Sequence, residues 1–213
     1  MASEVEICNL ALARLGDDAT IASIDPPEGS MQAEHCQRFY PIARDSMLEV
    51  HDWNFSKRRT LLSRLTVNSW NWRFAYAEPA NVIRLLAVLP QHAPSDQDSV
   101  PFESEGSASG ASIILTDLED ATLRYTERVI DTTKFPPLFT DALAWLLASY
   151  LAGPIIKGAE GASMAQKCYQ SFMLILGQAR TSEANQVQKD IRHIPDWMAA
   201  RGMVECGDFL GRR

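Results

Sequence analysis

The chain has 213 residues, 46% of them hydrophobic and 22% charged, with a formal net charge of −7, enough for one large domain or a domain with a sizeable insertion. An acidic total argues against tight non-specific duplex binding, which needs many phosphate contacts. No apolar run approaches the roughly 20 residues of a membrane span, and MASEVEICNLALARLG lacks the basic residues that open a secretory signal.

Ser3 and Glu6 have capping-box spacing, and Val5, Cys8, Leu12 and Leu15 then recur at helical intervals. With Gly16 as terminator, the first helix is predicted over Glu4 to Leu15. Asp17 to Gly29 reads as a loop pinned to the body by Ile21 and Ile24. Ser30 caps a second helix to about Val50, roughly 30 Å long at about 1.5 Å per residue. Its buried face is expected to hold Ala33, Cys36, Phe39 or Tyr40, Ala43 and Met47. Ile42, Leu48 and Val50 also return at helical spacing, and Pro41 should kink the helix. At His51-Asp52 the helix breaks, and Trp53, Asn54 and Phe55 read as a packed corner leading to the basic run Lys57, Arg58, Arg59.

From Phe55 to about Ile130 the period changes to that of strands, in WRFAYAEP, NVIRLLAVLP, ASIILTD and ATLRYTERVI. The turn from Thr116 to Ala121 is predicted to close a hairpin between the last two. Gln91 to Ser112 reads as an exposed excursion with at most one short strand near Val100 to Glu103. Phe135-Pro136-Pro137 returns the chain to helix. Leu138 to Ala152, apolar nearly all round, should be the most buried helix, stopped by Gly153-Pro154. A long helix from Gly161 to about Val187 follows, with Met164, Cys168, Phe172, Ile175 or Leu176, and Ala179 on its apolar face. The last stretch carries Ile194, Trp197, Met198, Phe209 and Leu210 among Pro195 and three glycines, too apolar for a solvated tail and too interrupted for a core helix. The expected fold is therefore α+β. A helical bundle body (1–54 and 134–189) carries a small inserted antiparallel β domain (55–133) and an extended C-terminal docking segment (190–213).

Charge is unevenly placed. Gln91 to Asp120 holds seven acids, among them Glu103 and Glu105, and no Lys or Arg; Phe55 to Ala77 holds Lys57, Arg58, Arg59, Arg64 and Arg73 and no acid. Lys57 and Arg59 should share one strand face and Arg58 the other. That run reads as a solvated strand face, or as a surface for an acidic patch of a neighbouring copy or for passing DNA. Arg44 and Asp45 point to different sides of their helix, so each is expected to pair with another element, within the subunit or across an interface. The four cysteines, Cys8, Cys36, Cys168 and Cys206, are far apart with no CxxC; the first three fall on apolar helical faces and read as buried free thiols. No GxSxG, Walker lysine loop, GxGxxG or HExxH is present. His51-Asp52 is the best acid/base candidate, against a structural His at a helix end. No metal-ligand spacing occurs around His35, His92 or His193.

The runs NLALARLGDD, FYPIARDSMLEVHDWNFSKRRTLL, FAYAEPANVIRLLAV, ATLRYTERVIDTTKFPPLF and TDALAWLLASYLAGPI, in this order, resemble the podovirus head-to-tail adaptors, also called tail tubular protein A, from about Ile7 to Ile156. The resemblance implies a virion neck protein, assembled in the bacterial host cytoplasm as a ring, typically of twelve copies. Such a ring sits under the portal protein, precedes the downstream tail or nozzle protein, and passes the genome without gripping it. No catalytic residue, cofactor, metal or membrane contact comes with it. Arg44, Lys57, Arg58, Arg59, Ile194, Trp197, Met198, Phe209 and Leu210 are the candidate subunit or portal contacts, and Trp53, Asn54 and Phe55 the structural corner. The other classes are a small hydrolase-like cytoplasmic enzyme using His51 and Asp52, and a binding module of the host cytoplasm.

Overall fold

A computed structural model describes residues 2–67, 69–92, 98–107 and 110–186. The described residues up to Arg180 form one compact unit, and those from Thr181 belong to another. The chain is mixed α+β, with four α-helices and two antiparallel sheets among the described residues.

Helix α1 (Glu4–Arg14) starts with the capping box as its sequence requires: the Glu6 N–H donates to Ser3 Oγ and the Ser3 N–H to Glu6 Oε2. Gly16 follows at φ 78°, where a side chain would be strained. Ile21 and Ile24 of the next loop are buried. Helix α2 (Met31–Val50) is capped by Ser30 and continues through Pro41. It buries Ala33, Cys36, Tyr40, Ala43 and Met47, so the choice between neighbours falls on Tyr40; Leu48 is buried as well, while Ile42 and Val50 are exposed. Ile42 lies about 100° around the helix from Ala43 and so falls outside the buried stripe.

Helix α3 (Pro137–Ile156) is the centre of the helical core, with Phe139, Ala142, Leu143, Ala144, Leu147, Ala148, Leu151 and Ala152 all at 0% exposure. Gly153-Pro154 does not stop it; Pro154 lies in the final turn, where the helix has few bonds left to lose. Its 20 residues are long and apolar enough to cross a membrane by length and composition, which corrects the expectation that no run approaches that length. Asp141 and Pro154 hid the run, and half of it is buried against the protein. The chain turns back through Lys157 and Gly158, both at positive φ, into helix α4 (Gly158–Ala184), which starts three residues earlier than expected. A Cβ on Gly161 would stand 3.0 Å from the Ala152 carbonyl oxygen, so a glycine lets α4 approach the end of α3 closely. Cys168, Phe172, Leu176 and Ala179 form the buried stripe of α4. Arg14 ties α1 to α3 by an ion pair with Asp141, and its guanidinium lies 4.3 Å from the Trp145 ring centre.

The strands make a three-stranded sheet, β1 (Lys57–Leu61), β7 (Ala121–Glu127), β4 (Val82–Pro90), and a four-stranded one, β2 (Arg64–Leu65), β3 (Phe74–Ala77), β6 (Ser112–Thr116), β5 (Phe102–Gly106). They pack through a shared apolar layer of Tyr76 and Ile114 from one sheet and Val88, Leu123 and Tyr125 from the other. The predicted β6–β7 hairpin is not formed. Both strands are central, each already flanked on two sides, so the turn at 117–120 carries the chain from one sheet to the other. The excursion's strand forms at Phe102–Gly106, slightly later than read. Two irregularities in the register of β4 turn Ile83 toward the helical core, against which it packs.

Candidate functional site

The corner between α2 and β1 is where the chain leaves the helical core for the first strand. Beyond Val50 the backbone becomes extended at His51, and Asn54–Ser56 form one turn of 3-10 helix before the strand. Trp53 is 1% exposed and donates its indole N–H to the Met47 carbonyl at 2.7 Å, the partner a buried indole requires. Its ring stands edge-on to Phe139 at 5.0 Å; Phe55 approaches Phe139 at 5.0 Å and Phe135 at 5.6 Å. Thus Phe135 and Phe139, from the FPPLF run, complete the corner expected of Trp53, Asn54 and Phe55. Phe135 stands just before the N-cap Pro136 and Phe139 in the first turn of α3, so the chain entering the helix brings their rings to 4.7 Å. Phe55 is half-buried, whereas Trp53 is fully enclosed. Asn54 Oδ1 accepts from Lys57 Nζ at 3.0 Å.

Around this corner run ion pairs and hydrogen bonds, one of which ties α2 to the end of β7. Arg44, only 8% exposed, gives both Nε and Nη2 to Asp45 Oδ1 at 3.1 and 3.0 Å. The expectation that this pair diverges is corrected for Arg44, whose long side chain bends back to its neighbour. It holds for Asp45, whose second oxygen meets Arg128 Nε at 3.1 Å, just after β7. Arg58 Nε meets Glu127 Oε2 at 2.8 Å, Arg84 meets Asp52 at 3.3 Å, and Arg180 donates to the Val50 carbonyl at 3.0 Å. Most of these pairs are partly solvated and individually worth little; Arg44 is the exception, because removing Asp45 would leave a buried cation.

The structure therefore brings Arg44, Lys57 and Arg58 to one junction and engages each locally. Arg59 is exposed on β1 and stands directly opposite Arg124 of β7. His51 packs its ring edge-on to Trp53 at 4.8 Å, and Asp52 is the partner of Arg84, so the acid/base candidates are both committed to the corner. Cavities of about 610 and 350 Å³ are lined elsewhere, by Leu65, Pro79 and Val82 among others in the sheets, and by Trp145, Leu174 and Ile175 on the helices. Among the described residues no three His, Cys, Asp or Glu side chains are grouped to hold a metal ion. Cys8, Cys36 and Cys168 are buried free thiols; a hydrogen bond with Cys36, then burial, pushes the Cys8 thiol well up. Ile194, Trp197, Met198, Phe209 and Leu210 lie outside the described residues. No family model matches the chain, and comparison with curated proteins returns no match.

Proposed function

We propose that the protein is a non-enzymatic ring subunit of a short-tailed phage neck, a head-to-tail adaptor seated below the portal and above the tail or nozzle protein. In this reading the four helices are a bundle body, the sheets an insertion that reaches a neighbouring subunit, and residues 190–213 a docking segment for the portal or the next copy. One observation carries it: the two runs most distinctive of the resemblance, FYPIARDSMLEVHDWNFSKRRTLL and FPPLF with ALAWLLASYLA, fold into the same corner, with Trp53, Phe55, Phe135 and Phe139 in ring contact. Runs distant in the chain thus serve one structural unit, as they would if inherited together. An acidic conduit suits a passing polyanion, since each phosphate contact would resist sliding. Sedimentation of the purified protein, alone and mixed with portal rings, tests the proposal. Association into a closed ring of defined mass on the portal is expected; a protein that stays monomeric with and without portal would overturn it.

A further inference from the structure

Helix α4 is apolar on two faces. Cys168, Phe172, Leu176 and Ala179 are buried in the helical core, while Tyr169, Met173 and Leu174 lie exposed on the outer side, Leu174 at 63%. Tyr169 and Met173 are four residues apart and so adjoin on the surface, and Leu174 follows directly. The whole run from Cys168 to Ala179, CYQSFMLILGQA, has no charged residue on either face; the nearest are Lys167 and Arg180. A helix face that meets water ordinarily carries charge. Single exposed apolar side chains need no account, but a contiguous apolar patch is where a protein meets a partner. Beside Leu174 the surface dips into a hollow of about 350 Å³, lined by Trp145 of α3 and by Gln170, Ser171, Leu174 and Ile175 of α4. Arg14 covers one face of the Trp145 ring, 4.3 Å from its centre, and so holds it in place. The lining offers apolar walls, an amide and a hydroxyl, and no ionised group.

The chain itself supplies an occupant of matching chemistry. Past the described residues it runs from 187 to 213 and carries Ile194, Trp197, Met198, Phe209 and Leu210. The run IPDWMAA around Trp197 holds a single charge, Asp196, so it suits an uncharged hollow through apolar burial rather than ion pairing. Trp197 is the largest apolar side chain of the segment, and tryptophan is a common anchor of protein contacts; an aromatic wall such as Trp145 adds ring contact to area burial. Gln186 to Trp197 can span up to about 36 Å when extended. That exceeds the roughly 30 Å length of α3, so the segment is long enough to reach a second copy. A groove on a helix face and a segment at the end of the chain are unlike surfaces. A contact between unlike surfaces propagates from copy to copy and closes into a ring if the rotation permits.

We infer that residues 187–213 of one copy dock on the outer face of α4 in the next copy, with Trp197 seated in the hollow beside Trp145 and Leu174. This rests on the ring reading and names the contact that repeats around it. The experiment is sedimentation velocity on the full chain, alone and with portal rings, as wild type, Leu174→Lys, Trp197→Ala, and an equal mixture of the two variants. Unfolding curves recorded alongside check that each variant is native. Each variant by itself should associate about tenfold more weakly or worse. The mixture should form dimers and stop there. In it the intact segment of the Leu174→Lys chain meets the intact groove of the Trp197→Ala chain, whereas the reverse contact is spoiled on both sides. Native variants that assemble like wild type, or a mixture that stays monomeric while wild type forms rings, would overturn the contact and leave the ring intact. A Trp197→Ala chain that loses only the portal, beside a Leu174→Lys chain that loses nothing, would place the segment on the portal instead and also overturn it. A wild-type chain that never assembles, even with portal rings, would remove the ring reading and this contact with it.

Discussion

Trp53 is 1% exposed, inside a ring cluster with its one polar atom bonded, while Arg59, six residues later, is exposed and faces another arginine. The helical region spends its sequence on burial: α3 is enclosed by α1, α2 and α4, and the largest side chains meet at the corner. The sheet region has a thinner apolar layer and places its distinctive residues on strand edges. Burial and surface charge thus dominate different regions. The first should respond to changes in volume and the second to changes in charge.

The sharpest way to break that contrast is Trp53→Ala, which removes a filled volume and an indole bond. It should cost about 3–5 kcal/mol in denaturant unfolding. Ready quenching of Trp53 fluorescence by acrylamide in the native protein would contradict the enclosed corner. Leu123→Ala, in the layer between the sheets, should cost about 2–4 kcal/mol in the same assay, a core substitution of smaller volume. Asp45→Asn should cost about 1–3 kcal/mol, because it leaves the largely buried Arg44 and the Arg128 guanidinium short of their shared carboxylate. A variant as stable as wild type would mean that this junction does not hold helix to sheet.

Alkaline pH offers a milder test of the helical core. Burial pushes Tyr40 and Cys168 up, whereas the hydrogen bond between Cys8 and Cys36 moves those two thiols in opposite directions and so largely cancels. In the folded state Tyr40 and Cys168 keep their protons where the unfolded chain has lost them. Their contribution is full below the unfolded values and is lost as pH rises above them, on the order of 1 kcal/mol per pH unit for the Cys168 thiol above its unfolded range of about 8.5. Urea midpoints should therefore fall between pH 8 and pH 10, and a rising midpoint would contradict the burial of these groups. The smallest effect belongs to the edges: Glu105→Lys should leave monomer stability within about 0.5 kcal/mol, since the residue is exposed. A larger loss would mean β5 is held by its charges within one subunit.

Local rules were legible along the chain. The Ser3–Glu6 box, the Ser30 cap, the burial of α3 and the stripe of α4 each depend on residues within a turn or two of one another. The end of α3 was misread because Gly153-Pro154 breaks a helix interior but is tolerated in a last turn. Of the candidate site, the corner tryptophan and the edge charges could be read, whereas their partners could not: Phe139, Arg128, Glu127 and Arg84 are far away in sequence, and nothing in spacing pairs them.

By itself, then, the sequence determined element type, helix starts and the placement of charge, because periodicity, capping and composition act locally. Only the tertiary structure decided that β6 and β7 part into different sheets, that Arg44 bends to Asp45, and that β1 and β5 stand at sheet edges. Strand order and edge position depend on which distant strand occupies each flank, a choice made by packing of the shared apolar layer between Leu123 and Ile114.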